Sequence, residues 1–157
     1  MIQFIVPSSS GGSPLKSNSV YLNIYDEYDS TDTYRALWTI QSQFTKKSKT
    51  FLPTIDYANK DRFVKMTTVS TYDGGFENLE TGVIQLATTN FPLGFYDVII
   101  YENTSNSNLD TSGLKVVFKG LMNLISQNVS TNTNTPPVDY TEYTTNDTDT
   151  ESVYITF

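Results

Sequence analysis

Residues 82–125 read GVIQLATTNFPLGFYDVIIYENTSNSNLDTSGLKVVFKGLMNLI. Three apolar runs stand out, Val83–Ala87, Phe95–Glu102 and Leu114–Ile125, and turns rich in Gly, Pro, Asn and Ser separate them. Val, Ile, Tyr and Phe dominate the runs, and these residues favour strands. A short strand, a Gly-X-Tyr start at Gly94–Tyr96, a long strand, a polar loop and a closing strand are typical of an immunoglobulin-like sandwich. We therefore predict an all-β fold, an immunoglobulin-like β-sandwich of about seven to nine strands.

Side chains alternate between the two faces of a strand, so the sequence predicts which residues of each run share a face. In the middle run we expect Tyr96, Val98 and Ile100 to point into the core. The last run has two interpretations. As a strand it points Leu114, Val116, Phe118, Gly120, Met122 and Leu124 inward, whereas a helical stripe would use Leu114, Val117, Phe118, Leu121, Met122 and Ile125. Glycine within a helix costs roughly 1 kcal/mol and the Val-Val-Phe sequence favours extended backbone, so we expect a strand.

Earlier segments supply the remaining predicted strands. Ile2–Val6 is expected to be a first or edge strand, and Val20–Tyr25 alternates with Val20, Leu22 and Ile24 on one face. Arg35–Ile40 is expected to be a strand with Ala36, Trp38 and Ile40 on one side, where the only tryptophan can anchor a core. Phe51–Ile55 is expected to be an edge strand because Pro53 cannot donate to a central ladder. Arg62–Val69 is predicted as another strand, with no preference between its faces.

The segment Gly94-Phe95-Tyr96 invites comparison with a tyrosine corner, in which a tyrosine hydroxyl bonds back to nearby backbone. Immunoglobulin-like domains usually carry Asp two residues before the glycine, and here that position is Pro92. The sequence predicts where the strand starts but leaves the corner open.

Composition excludes most catalytic chemistry. The 157 residues fit one domain and include neither cysteine nor histidine, so thiolate metal sites, disulfides and a histidine general base are impossible. We predict that the protein is not an enzyme and has no cofactor. The net charge of −7 repels phosphate backbones, so no nucleic-acid binding is expected. Met1–Pro7 is too short for a leader or a membrane span, so no membrane partner is expected either.

The composition changes after residue 125. We predict a sandwich over residues 1–125 and an acidic Ser/Thr/Asn-rich arm over residues 126–157, with no Lys or Arg in the arm. The arm ends in an alternating segment, residues 152–157, for which a terminal strand is predicted. Its candidate partner-binding residues are Val153, Tyr154, Ile155 and Phe157. This strand either folds back onto its own sheet or adds to an edge of a neighbouring subunit, and both alternatives remain open.

Several groups of charged residues can be interpreted either as solvated surface or as binding sites. The carboxylates of Asp26, Glu27, Asp29 and Asp32 could bind calcium, but their spacing fits a solvated hairpin tip better. Lys46–Lys49 is expected to be a solvated basic loop or, alternatively, a contact for an acidic partner. Asp97 and Lys115 could pair across strands.

The tyrosines could form a sugar-binding platform, although scattered tyrosines in a sandwich more often pack across strands. The residues considered for such a platform are Tyr21, Tyr25, Tyr28, Tyr34, Tyr57, Tyr72, Tyr96 and Tyr101.

Three segments, Gly82–Leu86, Gly94–Glu102 and Val117–Met122, carry a resemblance to a known group. They resemble small immunoglobulin-like virion proteins of tailed bacteriophages, in particular the auxiliary capsid, or decoration, proteins of crAss-like and related environmental phages. The resemblance implies a structural protein on the phage head surface that binds and stabilises the shell of the major capsid protein. Its implied partners are the major capsid protein or other virion proteins, and neighbouring copies of itself. The alternative function is a carbohydrate-binding or adhesion module, or another tail or collar component.

Overall fold

Nine β-strands form two sheets that pack face to face, in a computed structural model that describes residues 1–7, 15–29 and 35–127. The strands are β1 Ile2–Val6, β2 Leu15–Leu22, β3 Arg35–Ser42, β4 Ser48–Phe51, β5 Thr54–Asp56, β6 Val64–Thr71, β7 Val83–Gln85, β8 Gly94–Asn103 and β9 Val116–Ser126. The only helical elements over these ranges are two short 3₁₀ turns, Tyr25–Glu27 and Leu79–Thr81. The predicted all-β class is confirmed, and β9 forms where a helix was the alternative. Over the same ranges no helix is long and apolar enough to cross a membrane.

The first sheet has the order β1-β9-β8-β3-β4. In it β1 runs parallel to β9, while the other neighbours are antiparallel. The second sheet has the order β2-β6-β5, and β7 pairs in parallel with β6 beyond the end of β5. Strands β5 and β7 therefore share one side of β6, and β2 occupies the other.

The core lies between the two sheets and is built around Trp38. This side chain is completely buried, and its indole N–H donates to the Met66 sulfur at 3.0 Å, which joins the two sheets. The rings of Phe4 and Phe51 each lie 6.0 Å from the tryptophan ring. The predicted inward residues of β8 and of β3 are buried, which confirms both face assignments: Tyr96, Val98, Ile100, Ala36, Trp38 and Ile40.

A β-bulge changes the predicted face of β9. Ile100 pairs with Phe118, but the next residue, Tyr101, pairs with Val116, so Val117 is the extra residue. Because an extra residue reverses the alternation, Val117 is buried and Val116 is 40% exposed. The prediction that Val116 points inward is wrong, and Leu114 precedes the strand.

Two predicted strands have different bounds. Phe51–Ile55 is not a single edge strand, since β4 ends at Phe51 in one sheet and β5 begins at Thr54 in the other. Pro53 lies in this crossover, where its missing N–H costs no ladder bond. The strand expected over Val20–Tyr25 begins earlier, at Leu15, and ends at Leu22. Its first half is mostly polar and was missed because apolar alternation begins only at Val20.

Strand β1 lies at the edge of its sheet, as predicted. At Ile5, however, the backbone groups on the open side of the strand are hydrogen-bonded to side chains. The Ile5 N–H donates to Asn18 Oδ1 at 2.7 Å, and the Ile5 carbonyl accepts from Asn18 Nδ2 at 3.1 Å and from Ser70 Oγ at 2.6 Å. Asn18 and Ser70 are buried residues of the other sheet. This seam closes one side of the sandwich and blocks strand addition there.

Candidate docking surface

The predicted partner-binding residues Val153, Tyr154, Ile155 and Phe157 lie outside the described residues, as does the rest of the arm beyond Gln127.

Three loops and the exit of β9 meet at one end of the sandwich. The pairing of Ser42 with Tyr96 and of Leu124 with Gly94 brings the β3–β4 hairpin and the end of β9 beside the turn before β8. The β6–β7 loop reaches the same end, because Lys49 at this end contacts Glu77. Large apolar side chains exposed at this end are Leu15, Phe44, Phe76, Leu93 and Phe95.

Phe44, Leu93 and Phe95 form what we call the end patch. Their exposed fractions are 88%, 49% and 52%, which is unusual for residues of this size within one small surface. They line a depression of ≈ 480 Å³ whose other walls are Ser42, Gln43, Pro92 and Gly94. The end patch is therefore concave and mainly apolar.

Hydrogen bonds fix the backbone that carries the end patch. The Gln43 N–H donates to the Phe95 carbonyl at 3.0 Å, and the Gln43 side-chain amide donates to Asp97 at 2.9 Å. Thr45 Oγ1 donates to the Asn90 carbonyl at 2.6 Å and so connects the hairpin tip to the turn. With these bonds in place, Phe44 stays exposed and the surface is preorganised for a partner.

Tyr96 anchors the turn that carries Leu93. Its hydroxyl donates to the Pro92 carbonyl at 2.5 Å, so the bond of a tyrosine corner forms although proline occupies the Asp position. The residue is fully buried, and this burial raises the pKa of the Tyr96 hydroxyl above its usual value. The phenol therefore remains protonated and continues to donate.

The basic segment Lys46–Lys49 divides into two parts. Lys46 and Lys47 are exposed at the hairpin tip beside Phe44. Lys49 belongs to β4, and its side chain is only 9% exposed. Its ammonium binds the Glu77 carboxylate, donates to the Gln85 carbonyl at 2.8 Å, and lies 4.5 Å from the centre of the Phe91 ring. The prediction of a single solvated loop is wrong for Lys49, and two cations remain next to the end patch.

The other charged candidates do not form a site. Lys115 binds Asp29 at 2.7 Å, while Asp97 accepts from Gln43, so the predicted Asp97–Lys115 pair is wrong. Hydrogen bonding to Asp29 raises the pKa of Lys115. Across residues 1–7, 15–29 and 35–127 no group of three or more acidic side chains could hold a metal ion. Asp32, the fourth residue of the proposed calcium turn, lies outside those ranges.

The tyrosines are distributed over different parts of the fold. Tyr96 is in the core, Tyr28 and Tyr57 pack against the core from its margin, and exposed Tyr21 contacts the Phe63 ring edge-on at 5.3 Å. These four tyrosines therefore do not line one sugar-binding face. Tyr34 is outside the described residues.

A second cleft, of ≈ 570 Å³, opens on the flank of the sandwich between β3 and β5. Its walls mix polar and apolar residues, and Glu80 is the only carboxylate among its described lining residues. A glycosidase-type site needs two carboxylates on either side of the substrate bond. This cleft does not provide that arrangement.

Neither edge of the first sheet offers a long row of free backbone groups. The β1 edge is occupied at Ile5, and β4 is four residues long, with the following Leu52 N–H donating to the Leu79 carbonyl. Docking through side chains at the end patch is thus better supported than extension of this sheet.

The end patch residues were not singled out from the sequence, although a signal was present. Phe95 is out of phase with Tyr96, Val98 and Ile100, so the same alternation that buries those residues places Phe95 outside. Phe44 is a lone aromatic residue in a polar hairpin tip.

Comparison of the chain with protein-family models, with curated proteins and with solved structures yields no match.

Proposed function

We propose that this protein is a structural component of a tailed-bacteriophage particle, an auxiliary capsid protein that binds the shell of the major capsid protein. The observation that carries the proposal is the end patch, in which Phe44, Leu93 and Phe95 are exposed on a hydrogen-bonded frame. Exposing such side chains to water is unfavourable, and contiguous apolar surface of this kind marks protein–protein contact sites. A protein-docking module is the function that this geometry supports best.

The strand order supports an immunoglobulin-like assignment within the all-β class. The order β2-β6-β5 corresponds to strands B-E-D of an immunoglobulin domain, and β9-β8-β3-β4 corresponds to G-F-C-C′. Trp38 on the strand equivalent to C and the Tyr96 bond before the strand equivalent to F agree with this assignment. The assignment also fits the resemblance to phage decoration proteins. The three segments of this chain that carry the resemblance fall on β7, β8 and β9.

Weak individual contacts suffice for such a role. Burial of each large apolar side chain contributes roughly 1.5–3 kcal/mol, and association itself costs several kcal/mol, so the end patch alone supports only modest affinity. On a symmetric shell many copies bind side by side, and multiplicity raises the overall avidity.

The test is mass spectrometry combined with cryo-electron microscopy of purified particles from the phage that encodes this chain. A copy number near that of the capsid lattice, with density on the head, is the expected result. A handful of copies at a tail, collar or vertex would contradict the capsid assignment. Absence of the chain from washed particles would overturn the structural role altogether.

A further inference from the structure

We propose that the end patch binds the C-terminal segment, residues 152–157, of a second copy of this chain. In this arrangement Lys46 and Lys47 face the acidic residues of that copy's arm. The inference rests on the proposed structural role and names the partner that the end patch would engage within the particle.

The apolar pattern of the segment matches the end patch. In extended backbone Val153, Ile155 and Phe157 share one face, because side chains alternate with a period of two. The end patch offers a concave apolar surface of ≈ 480 Å³ lined by Phe44, Leu93 and Phe95. Its backbone is already fixed by the Gln43 and Thr45 bonds, so binding requires little ordering on the receiving side.

The charges of the arm and of the patch rim are complementary. Residues 128–157 contain no Lys or Arg and include five carboxylates, so they account for −5 of the net charge of −7: Asp139, Glu142, Asp147, Asp149 and Glu151. Lys46 and Lys47 are exposed, and neither pairs with a carboxylate of the described residues, where the ion pairs use Lys49 and Lys115. Charge pairs at the rim of an interface mainly raise association rates and select the partner.

The length of the arm allows its C-terminal segment to reach a neighbouring copy. Strand β9 ends at Ser126, and Leu124 pairs with Gly94, so the arm starts on the order of 10 Å from its own end patch. A flexible linker of 24 residues, the length of segment 128–151, would have a root-mean-square span of about 27 Å. For a linker of this span, the end patch of the same copy and that of an adjacent copy are both within reach, and only binding to the adjacent patch links two copies. A distance of about 27 Å suits an adjacent domain with a radius of gyration near 14 Å.

The experiment is a complementation assay with two full-length double variants. The patch variant carries Phe44→Ser and Phe95→Ser, and the tail variant carries Ile155→Asp and Phe157→Asp. Sedimentation equilibrium should show wild-type self-association, with the dissociation constant raised at least about tenfold in each variant alone. A 1:1 mixture should regain association, because each mixed pair contains one intact end patch and one intact tail. Val116→Ser, which removes an exposed apolar side chain at the opposite end of the sheet, is the matched control and should behave like wild type.

Circular dichroism and thermal melts will check that each variant folds. If the patch variant does not fold, Lys46→Glu with Lys47→Glu replaces it, and the same complementation by the tail variant is expected. A wild-type chain that stays monomeric up to about 1 mM overturns the inference. So does a mixture of variants that associates no better than either variant alone.

The two proposals fail in different ways. Particles that incorporate the tail variant, whose end patch is intact, at the wild-type copy number would refute arm exchange and leave the capsid role standing. Successful complementation in solution, with the chain missing from particles, would support arm exchange and refute the capsid role.

Discussion

Replacing Asn18 with leucine is expected to detach strand β1 from the second sheet. Asn18 is buried at the seam, where its Oδ1 accepts from the Ile5 N–H at 2.7 Å. Its Nδ2 lies within hydrogen-bond distance of the Ile5 carbonyl at 3.1 Å, of Ser70 Oγ at 3.0 Å and of the Lys16 carbonyl at 3.3 Å. Leucine has a similar size but makes none of these bonds.

The expected loss of stability follows from the hydrogen-bonding groups that lose their partner when Asn18 is replaced. The Ile5 N–H would be left without a partner, which costs roughly 1–3 kcal/mol, and the loss of the amide donors adds about 1 kcal/mol. The Ile5 carbonyl keeps Ser70 Oγ at 2.6 Å, which limits the damage. We expect the free energy of unfolding to fall by about 2–4 kcal/mol, equivalent to a decrease of roughly 10 °C in Tm.

Two measurements test this estimate. Urea unfolding gives the change in free energy, and amide hydrogen exchange should show that the Ile5 amide loses its protection while the Ile100 amide in the central strand β8 stays protected. Asn23→Leu is the control, because Asn23 is exposed just beyond the end of β2. A change below about 0.5 kcal/mol, with the Ile5 amide still protected, would refute the argument that Asn18 closes this edge.

Two further predictions concern polar side chains near the end patch. Lys49→Met should lower the free energy of unfolding by about 1–3 kcal/mol, because it leaves the Glu77 carboxylate without its cation, and adding Glu77→Gln should restore part of the loss in a urea double-mutant cycle. If the effects of the two substitutions on the free energy of unfolding are additive, Lys49 and Glu77 are not coupled and the prediction is wrong. Tyr96→Phe should cost about 1–2 kcal/mol through loss of the bond to Pro92. Since burial raises the pKa of Tyr96 in the folded state, its contribution is complete below the unfolded pKa of about 10 and lost as pH rises through the folded value. Urea unfolding at a series of pH values above 10 should therefore show that the free energy of unfolding declines less steeply with pH for Tyr96→Phe than for wild type. Parallel declines in the two proteins would contradict this linkage.

Local preference was sufficient to predict where most strands lie. Phe95–Glu102 is rich in Val, Ile and Tyr and alternates around Tyr96, Val98 and Ile100, and the structure places β8 and its core face there. Trp38 was identified as the core anchor for the same reason, since a large apolar side chain on the inner face of a strand has one favourable environment. Both predictions depend only on neighbours within a few residues.

The candidate site was predictable only in part. The sequence indicated an acidic arm with an apolar end, and it indicated the turn at Pro92–Gly94. It did not indicate that the hairpin tip with Phe44 would meet that turn, because the bond from Thr45 to Asn90 joins residues 45 positions apart. Sequence patterns report periodicity within a strand and contain no information on which loops share an end of the sandwich.

By itself, the sequence determined the all-β class, the core faces of β3 and β8 and the absence of any cysteine or histidine chemistry, because residue type and a period of two decide these locally. The tertiary structure alone decided that Val117 replaces Val116 inside, that Lys49 pairs with Glu77 and that Asn18 seals the edge at Ile5. Each of these outcomes depends on the register between strands or on partners far apart in the chain. Such contacts form only when the two sheets have packed, and so the packing, not the local pattern, gives these side chains their roles.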